Sequence, residues 1–250
     1  MEEAKEVARL ALDIGCGIIE CGGEVSRAED SAVRVALAFG MKRCDVFALN
    51  SFFLLTVENG SGVSVTLSKR VKTGNTDFSR LEELNSASRA VCEGRLSREK
   101  AEKVALNTDK SGMSTLLNYL VSMAVCAVFS LYFGGGYKEA VASAIAASVT
   151  VFMKNKAKAI FGNAVVFTFV CSFLSGFCGA LFVVIGFAGS YDLIAQGDIM
   201  LLIPGLSLIS AARDAINGDM LTGLLRFIET ILIALALTAG FVLPKFLLLS

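Results

Sequence analysis

The feature that most limits how this 250-residue chain can fold is the unequal placement of its charge. Residues 1–110 carry 16 of the 23 Lys and Arg and 17 of the 23 Asp and Glu, whereas the other 140 residues share seven basic and six acidic side chains. With 54% hydrophobic and only 18% charged residues overall, the second stretch is too apolar for an ordinary soluble domain. A cytoplasmic α+β domain over residues 1–110, followed by an all-α transmembrane domain over residues 111–250, is the expected architecture. The first half interleaves both signs at zero net charge, which argues against a nucleic-acid partner. Its start, MEEAKEVARLALDIG, is acidic and lacks the basic lead of a secretory signal, so a cytoplasmic amino terminus is expected. The chain has no His and no CxxC, so neither a metal site nor a cofactor is expected. Cys16, Cys21, Cys44 and Cys92 would face a reducing compartment, and Cys126, Cys171 and Cys178 sit in apolar runs, so disulfides are not expected either.

A span needs about 20 apolar residues to cross about 30 Å of hydrocarbon. Five segments meet or approach that length: 112–133, 137–153, 162–187, 198–217 and 220–243. The connector KNKAK holds Lys154, Lys156 and Lys158, whereas GSYDLIAQGD carries Asp192 and Asp198 with no basic residue. Basic loops stay inside. The amino terminus, KNKAK and the turn from Arg213 to Asp219 are therefore expected in the cytoplasm, with the carboxyl terminus outside. Ala140, Ala144 and Ser148, Ser172 with Gly176, and Ser175 with Gly179 recur at four-residue spacing, suited to close helix packing or to lining a narrow passage. Ser114, Asn118 and Ser122 form a polar stripe on the first span, with Asn118 either a helix bridge or a pathway residue.

The fourth span contains LLIPGLSLISAARDAINGD. Pro204 lacks an amide hydrogen and Gly205 tolerates unusual backbone angles, so this helix is expected to kink or break there. A broken helix at membrane depth is the best sequence pointer to a transporter's central site. Asp214 and Asp219 flank the following turn, and Thr222, Arg226, Glu229 and Thr230 are expected on one side of the last helix, with Arg226 and Glu229 spaced to pair. Ionisable groups in a membrane domain suggest an ion or substrate path by default. Asp214, Asp219, Arg226 and Glu229 are the expected substrate- or proton-binding residues, with Asn118 as a further candidate and Pro204-Gly205 as the scaffold. By helical rise Glu229 lies about 9 Å beyond Gly223.

In the first half, residues 2–21 show helical spacing at Val7, Leu10, Ile14 and Ile18, ended by Gly22-Gly23. Ser26 and Glu29 have the spacing of a capping box that would open a second helix through Phe39. Helix stop and start signals thus account for most of GGEVSRAED, and a ligand role would rest on Glu24, Arg27 and Asp30, with Ser26 beside them. CDVFALN, FFLLTVE and GVSVTLS read as strands, with a turn at Asn59-Gly60. Residues 77–93 read as a helix ended by Gly94, and Ser97 as the cap of a last short one. RVKTGNTD lacks the spacing of a phosphate loop, and without His no Ser-His or Cys-His nucleophile is available, so catalysis is not expected.

GGEVSRAED, DVFALNSFFLLTV, RVKTGNTDFSRLEELN and IPGLSLISAARDAINGDMLTGLLR, in this order, resemble the threonine/serine exporter family nearly end to end. The resemblance implies a cytoplasmic domain before five spans, with five more supplied in the same chain or by a small second subunit. This chain resembles the first part alone. It also implies proton-motive-force-dependent export of a small hydrophilic metabolite, threonine, serine or succinate, across the cell inner membrane. The matching positions are Gly23, Ser26, Arg27 and Asp30, then Pro204, Gly205, Asp214, Gly218, Gly223 and Arg226. Five crossings place the termini on opposite faces, so a second five-span unit would enter inverted, the arrangement that frames alternating-access sites. The alternative reading is a membrane sensor or assembly protein whose cytoplasmic domain binds a ligand, with a membrane-anchored enzyme third; homo-oligomerisation is left open.

Overall fold

A computed structural model describes residues 2–72, 76–107, 114–156 and 161–249. Residues 108–113, Ala157 and Lys158 of KNKAK, and residues 73–75 of RVKTGNTD lie outside the described residues. The chain divides into two compact units, one of residues 1–111 with 206–227 and one of residues 112–205 with 228–250.

The first unit begins with α1 (Glu2–Glu20) and α2 (Val25–Ala38), followed by β1 (Arg43–Leu49), β2 (Phe52–Glu58), β3 (Ser64–Arg70), α3 (Phe78–Cys92) and α4 (Arg98–Leu106). The strands form an antiparallel sheet in the order β1-β2-β3, with Arg43 opposite Glu58 and Phe52 opposite Arg70. β2 alternates strictly, burying Phe53, Leu55 and Val57 against the face that α1 covers with Val7, Leu10, Ile14 and Ile18. Gly15 makes that contact close: a Cβ there would lie 2.4 Å from Phe53 Cζ. Between β2 and β3 the Asn59 side chain accepts hydrogen bonds from the amides of Ser61 (3.0 Å) and Val63 (2.9 Å).

The expected capping box does not form. α2 starts at Val25 with Glu24 as its N-cap, so Ser26 already lies in the first turn and cannot cap. Glu29 instead accepts a hydrogen bond from the Ala48 amide at 2.7 Å, tying α2 to β1. Ser97 does precede α4 but makes no side-chain cap, whereas Asp77 caps α3 by accepting from the Arg80 amide at 3.0 Å.

The apolar part comprises α5 (Thr115–Tyr132), α6 (Tyr137–Lys156), α7 (Ala164–Val184), α8 (Tyr191–Leu202), α9 (Gly205–Ile216) and α10 (Met220–Leu249). Among the described residues three helices, α5, α7 and α10, are long and apolar enough to cross a membrane. The pair α8 and α9, separated by a short break, would be a fourth if taken as one span. The expected connector GSYDLIAQGD is helical from Tyr191 onward, because Leu193, Ile194 and Ala195 continue the apolar pattern that Asp192 and Asp198 obscure. Within the second unit α8 packs against α5, α6 and α7. The small residues of α7 serve this packing: Cβ atoms on Gly176 and Gly179 would meet Tyr191 Oη at 2.7 Å and Ile194 Cγ2 at 3.0 Å.

In the first unit α9 turns into α10 through Gly218, whose φ of +99° favours glycine. Gly223 lets the two helices close up, since a Cβ there would lie 2.8 Å from Ala211 O and 2.9 Å from Ala215 N. Both atoms are backbone and cannot swing aside. Gly223→Ala is therefore expected to destabilise the protein by about 1–3 kcal/mol. A lowered thermal midpoint of the detergent-solubilised chain would show it, and an unchanged midpoint would contradict the close approach.

Candidate functional site

Two groups of buried polar side chains stand out, one in each unit. In the first unit Asp214 of α9 is 0% exposed and its carboxylate lies 3.0 Å from Arg226 Nη1 of α10. The Arg226 Nη2 donates to Asn50 Oδ1 at 2.9 Å, in the turn after β1. One residue before Asp214, Arg213 Nη1 donates to Glu24 Oε1 at 2.7 Å, and Asn217 Nδ2 reaches Glu24 Oε2 at 3.4 Å. Charges of both signs on the α9–α10 hairpin thus meet the start of α2 and the end of β1. Asp219 adds a second carboxylate near Asp214, with one oxygen buried and without a hydrogen-bond partner among the described residues. Burial raises the Glu29 carboxyl above its ordinary value of 4.5; the Ala48 amide opposes this, and Asp219 and Asp30 add to it.

Asp214 and Arg226 therefore come together as a tight pair, and Glu24 joins the same region through Arg213. Glu229, however, is exposed, so the expected polar face of α10 consists of buried Thr222, Arg226 and Thr230 without it. Although their spacing would allow Arg226 to meet Glu229, Arg226 turns to Asp214. Arg27 and Asp30 are exposed, the latter paired with Arg34 at 3.3 Å, and Arg27 lines an open groove with Arg34 and Arg89. Ser26 is half-buried. Asn118 accepts from Ser122 at 3.5 Å, while Ser114 caps α5 by accepting from the Leu117 amide. Pro204 and Gly205 occupy the break between α8 and α9.

The second group was not foreseen. Asp198 of α8 is 2% exposed, and its two oxygens accept from Ser143 Oγ of α6 and Ser175 Oγ of α7, each at 2.8 Å. The Cys126 thiol of α5 adds a hydrogen bond. Gly197 seats this helix, since a Cβ there would lie 2.5 Å from Ser143 Oγ and 2.6 Å from Cys126 O. Near the break, Lys154 Nζ lies 3.4 Å from Leu201 O, placing a cation at the carbonyl end of α8. A readable signal existed in the apolar helices: Ser143 and Ser175 are hydroxyls at buried positions, which need a partner.

Removing Arg226 leaves a fully buried carboxylate uncompensated, so Arg226→Ala is expected to cost about 3–5 kcal/mol. Adding Asp214→Leu should recover part of that loss; thermal midpoints of the four species in the cycle would check it, and additive losses would contradict a coupled pair. For Glu29, a folded-state pKa raised above the unfolded one means that the native state binds more protons. Its favourable contribution is present below the ordinary value of 4.5 and is lost as pH rises through the raised value. Glu29→Gln, which can still accept from the Ala48 amide, is expected to flatten the decline of stability over that window in pH-dependent melting.

The chain matches the family model described as "Putative threonine/serine exporter", ThrE, over residues 9–245. It is 27% identical over 247 residues to the "Threonine/serine exporter" of Corynebacterium glutamicum, which covers 94% of this chain and 50% of that protein. It is also 23% identical over 246 residues to the "Probable succinate transporter subunit YjjP" of Klebsiella aerogenes, covering 96% of this chain and 93% of that protein. The chain thus spans about half the length of the first relative and nearly all of the second. No solved structure matches it. With a match running from the first helix to the last, the chain belongs to the threonine/serine exporter family of membrane transporters.

Proposed function

We propose that this protein is the membrane component of a secondary exporter that moves a small hydrophilic metabolite out of the cytoplasm, driven by the proton motive force. The single observation that carries this reading is the Asp214–Arg226 pair, 0% and 7% exposed at the side chains, on an α-helical hairpin of an apolar chain. Buried ion pairs seldom add net stability, so their retention points to a task. Arg226 would hold a substrate carboxylate, and Asp214 or Asp219 an amine. The names of the two relatives support threonine, serine or succinate as substrates.

In this reading α5, α6, α7, the interrupted α8–α9 and α10 are five spans in the inner membrane, with the amino terminus inside and the carboxyl terminus outside. A second, inverted five-span subunit completes the transporter. The half-length match to the Corynebacterium protein and the word "subunit" in the name of the Klebsiella protein support a partner. So does Glu229, an exposed carboxylate among exposed Leu225, Ile228 and Leu232, which lipid would not tolerate at depth. The residues of the 1–110 domain, including Glu24, Ser26, Arg27 and Asp30, would then gate or assemble the complex. A second reading, a membrane sensor, is favoured by the open groove of Arg27, Arg34 and Arg89; binding of labelled metabolite there without transport would select it.

The test is co-reconstitution with a five-span partner in proteoliposomes and measurement of labelled serine, threonine and succinate movement under a pH gradient. Transport of at least one is expected, and Arg226→Lys, which cannot reproduce the planar two-pronged contact, is expected to lower it about tenfold or more. Vesicles in which none of the three crosses would defeat the exporter reading.

A further inference from the structure

The Asp214–Arg226 pair sets its carboxylate against a fixed cation at 3.0 Å. Asp198 has a different setting. It is enclosed by α5, α6 and α7, and its oxygens meet only uncharged donors: Ser143, Ser175 and the Cys126 thiol. The titratable groups that face it are Cys126 on α5, Cys178 on α7 and Tyr191 on its own helix, none of them cationic at neutral pH. Lys154 on α6 is engaged at Leu201 O instead. An anion without a counter-charge at such depth is costly, whereas the neutral acid is not. Two hydroxyls that can donate to the anion or accept from the acid fit both states. Beside Gly197, the Ser130 hydroxyl is also buried and has no partner among the described residues, offering a further donor and acceptor at the same level of the helix.

We propose that Asp198, held between the Ser143 and Ser175 hydroxyls on the helix that ends at the Pro204 break, is the proton-binding residue of the exporter. This rests on the exporter reading above. In each cycle the carboxylate takes one proton from water on the outer side and, as the carboxylic acid, gives it up to water on the cytoplasmic side. One O–H bond forms and one breaks, with no other reactant. The 2.8 Å contacts from both hydroxyls satisfy the carboxylate by hydrogen bonding. Asp198 stands about 6 Å before Leu202 by helical rise, close enough for its charge to bear on the carbonyl end of α8 and on Lys154.

Two measurements on the full chain test this. The first is infrared difference spectroscopy of the detergent-solubilised protein across a pH titration. A carboxylic-acid carbonyl band that titrates and is lost in Asp198→Asn is expected; a titrating band that survives that substitution unchanged would overturn the proposal. Ser175→Ala and Ser143→Ala each remove a donor that steadies the anion, so the midpoint of the band is expected to rise by about one pH unit. Midpoints unmoved in both variants would equally overturn it. The second is transport with the five-span partner in vesicles. The stimulation of net transport by a pH gradient is expected to fall to none in Asp198→Asn, whereas stimulation equal to that of the unaltered protein, or drive by a sodium gradient alone, would overturn the assignment. Should the unaltered protein carry no substrate while the Asp198 band titrates, the exporter reading fails and the proton site stands.

Discussion

A charge taken out of water must be met by an opposite charge or by several hydrogen bonds, and the polar architecture of this chain follows from that requirement. Asp214 is answered by Arg226, whose other nitrogen is in turn fixed by Asn50. Asp198 is answered by Ser143 and Ser175. The two solutions have different chemical consequences. A guanidinium meets its carboxylate with an opposite charge, whereas hydroxyls accommodate both protonation states. Binding and proton exchange can thus reside on separate carboxylates fewer than 20 residues apart in sequence.

The same requirement governs the backbone. Pro204 cannot donate to the turn before it, so carbonyls near the end of α8 lose partners; the Ile203 amide still reaches Ile199 O, and Lys154 covers Leu201 O. Such a helix end is held in place by packing rather than by its own ladder. Gly176, Gly179 and Gly197 allow α8 to sit against its neighbours at distances a Cβ would forbid, and Tyr191 Oη donates to Phe241 O at 2.6 Å to pin its first turn. Substitutions at these glycines would act on the Asp198 environment through geometry, without touching a charge.

Much of the fold was legible because it depends on local periodicity. The spacing of Val7, Leu10, Ile14 and Ile18, the alternation in FFLLTVE and the long apolar runs each specify an element without reference to distant residues. Where reading failed, a distant partner had the deciding role. Ser26 and Glu29 have capping-box spacing, yet the Ala48 amide of β1 competes for the Glu29 carboxylate. Arg226 and Glu229 have pairing spacing, yet Asp214 lies closer to the guanidinium. Asp192 and Asp198 made a helix look like a loop, because the first is met by Lys245 and the second by serines 23 and 55 residues away.

Sequence alone determined the division between a charged front and an apolar back and the identity of most helices and strands. Both follow from composition and from period-two and period-3.6 patterning, which are properties of short stretches. Tertiary structure decided which carboxylate meets a cation, which meets only uncharged donors and which faces outward. Spacing along a chain fixes the face of a helix, but the neighbour met by that face is set by how helices pack, as the meeting of Asp198 with Ser143 and Ser175 illustrates.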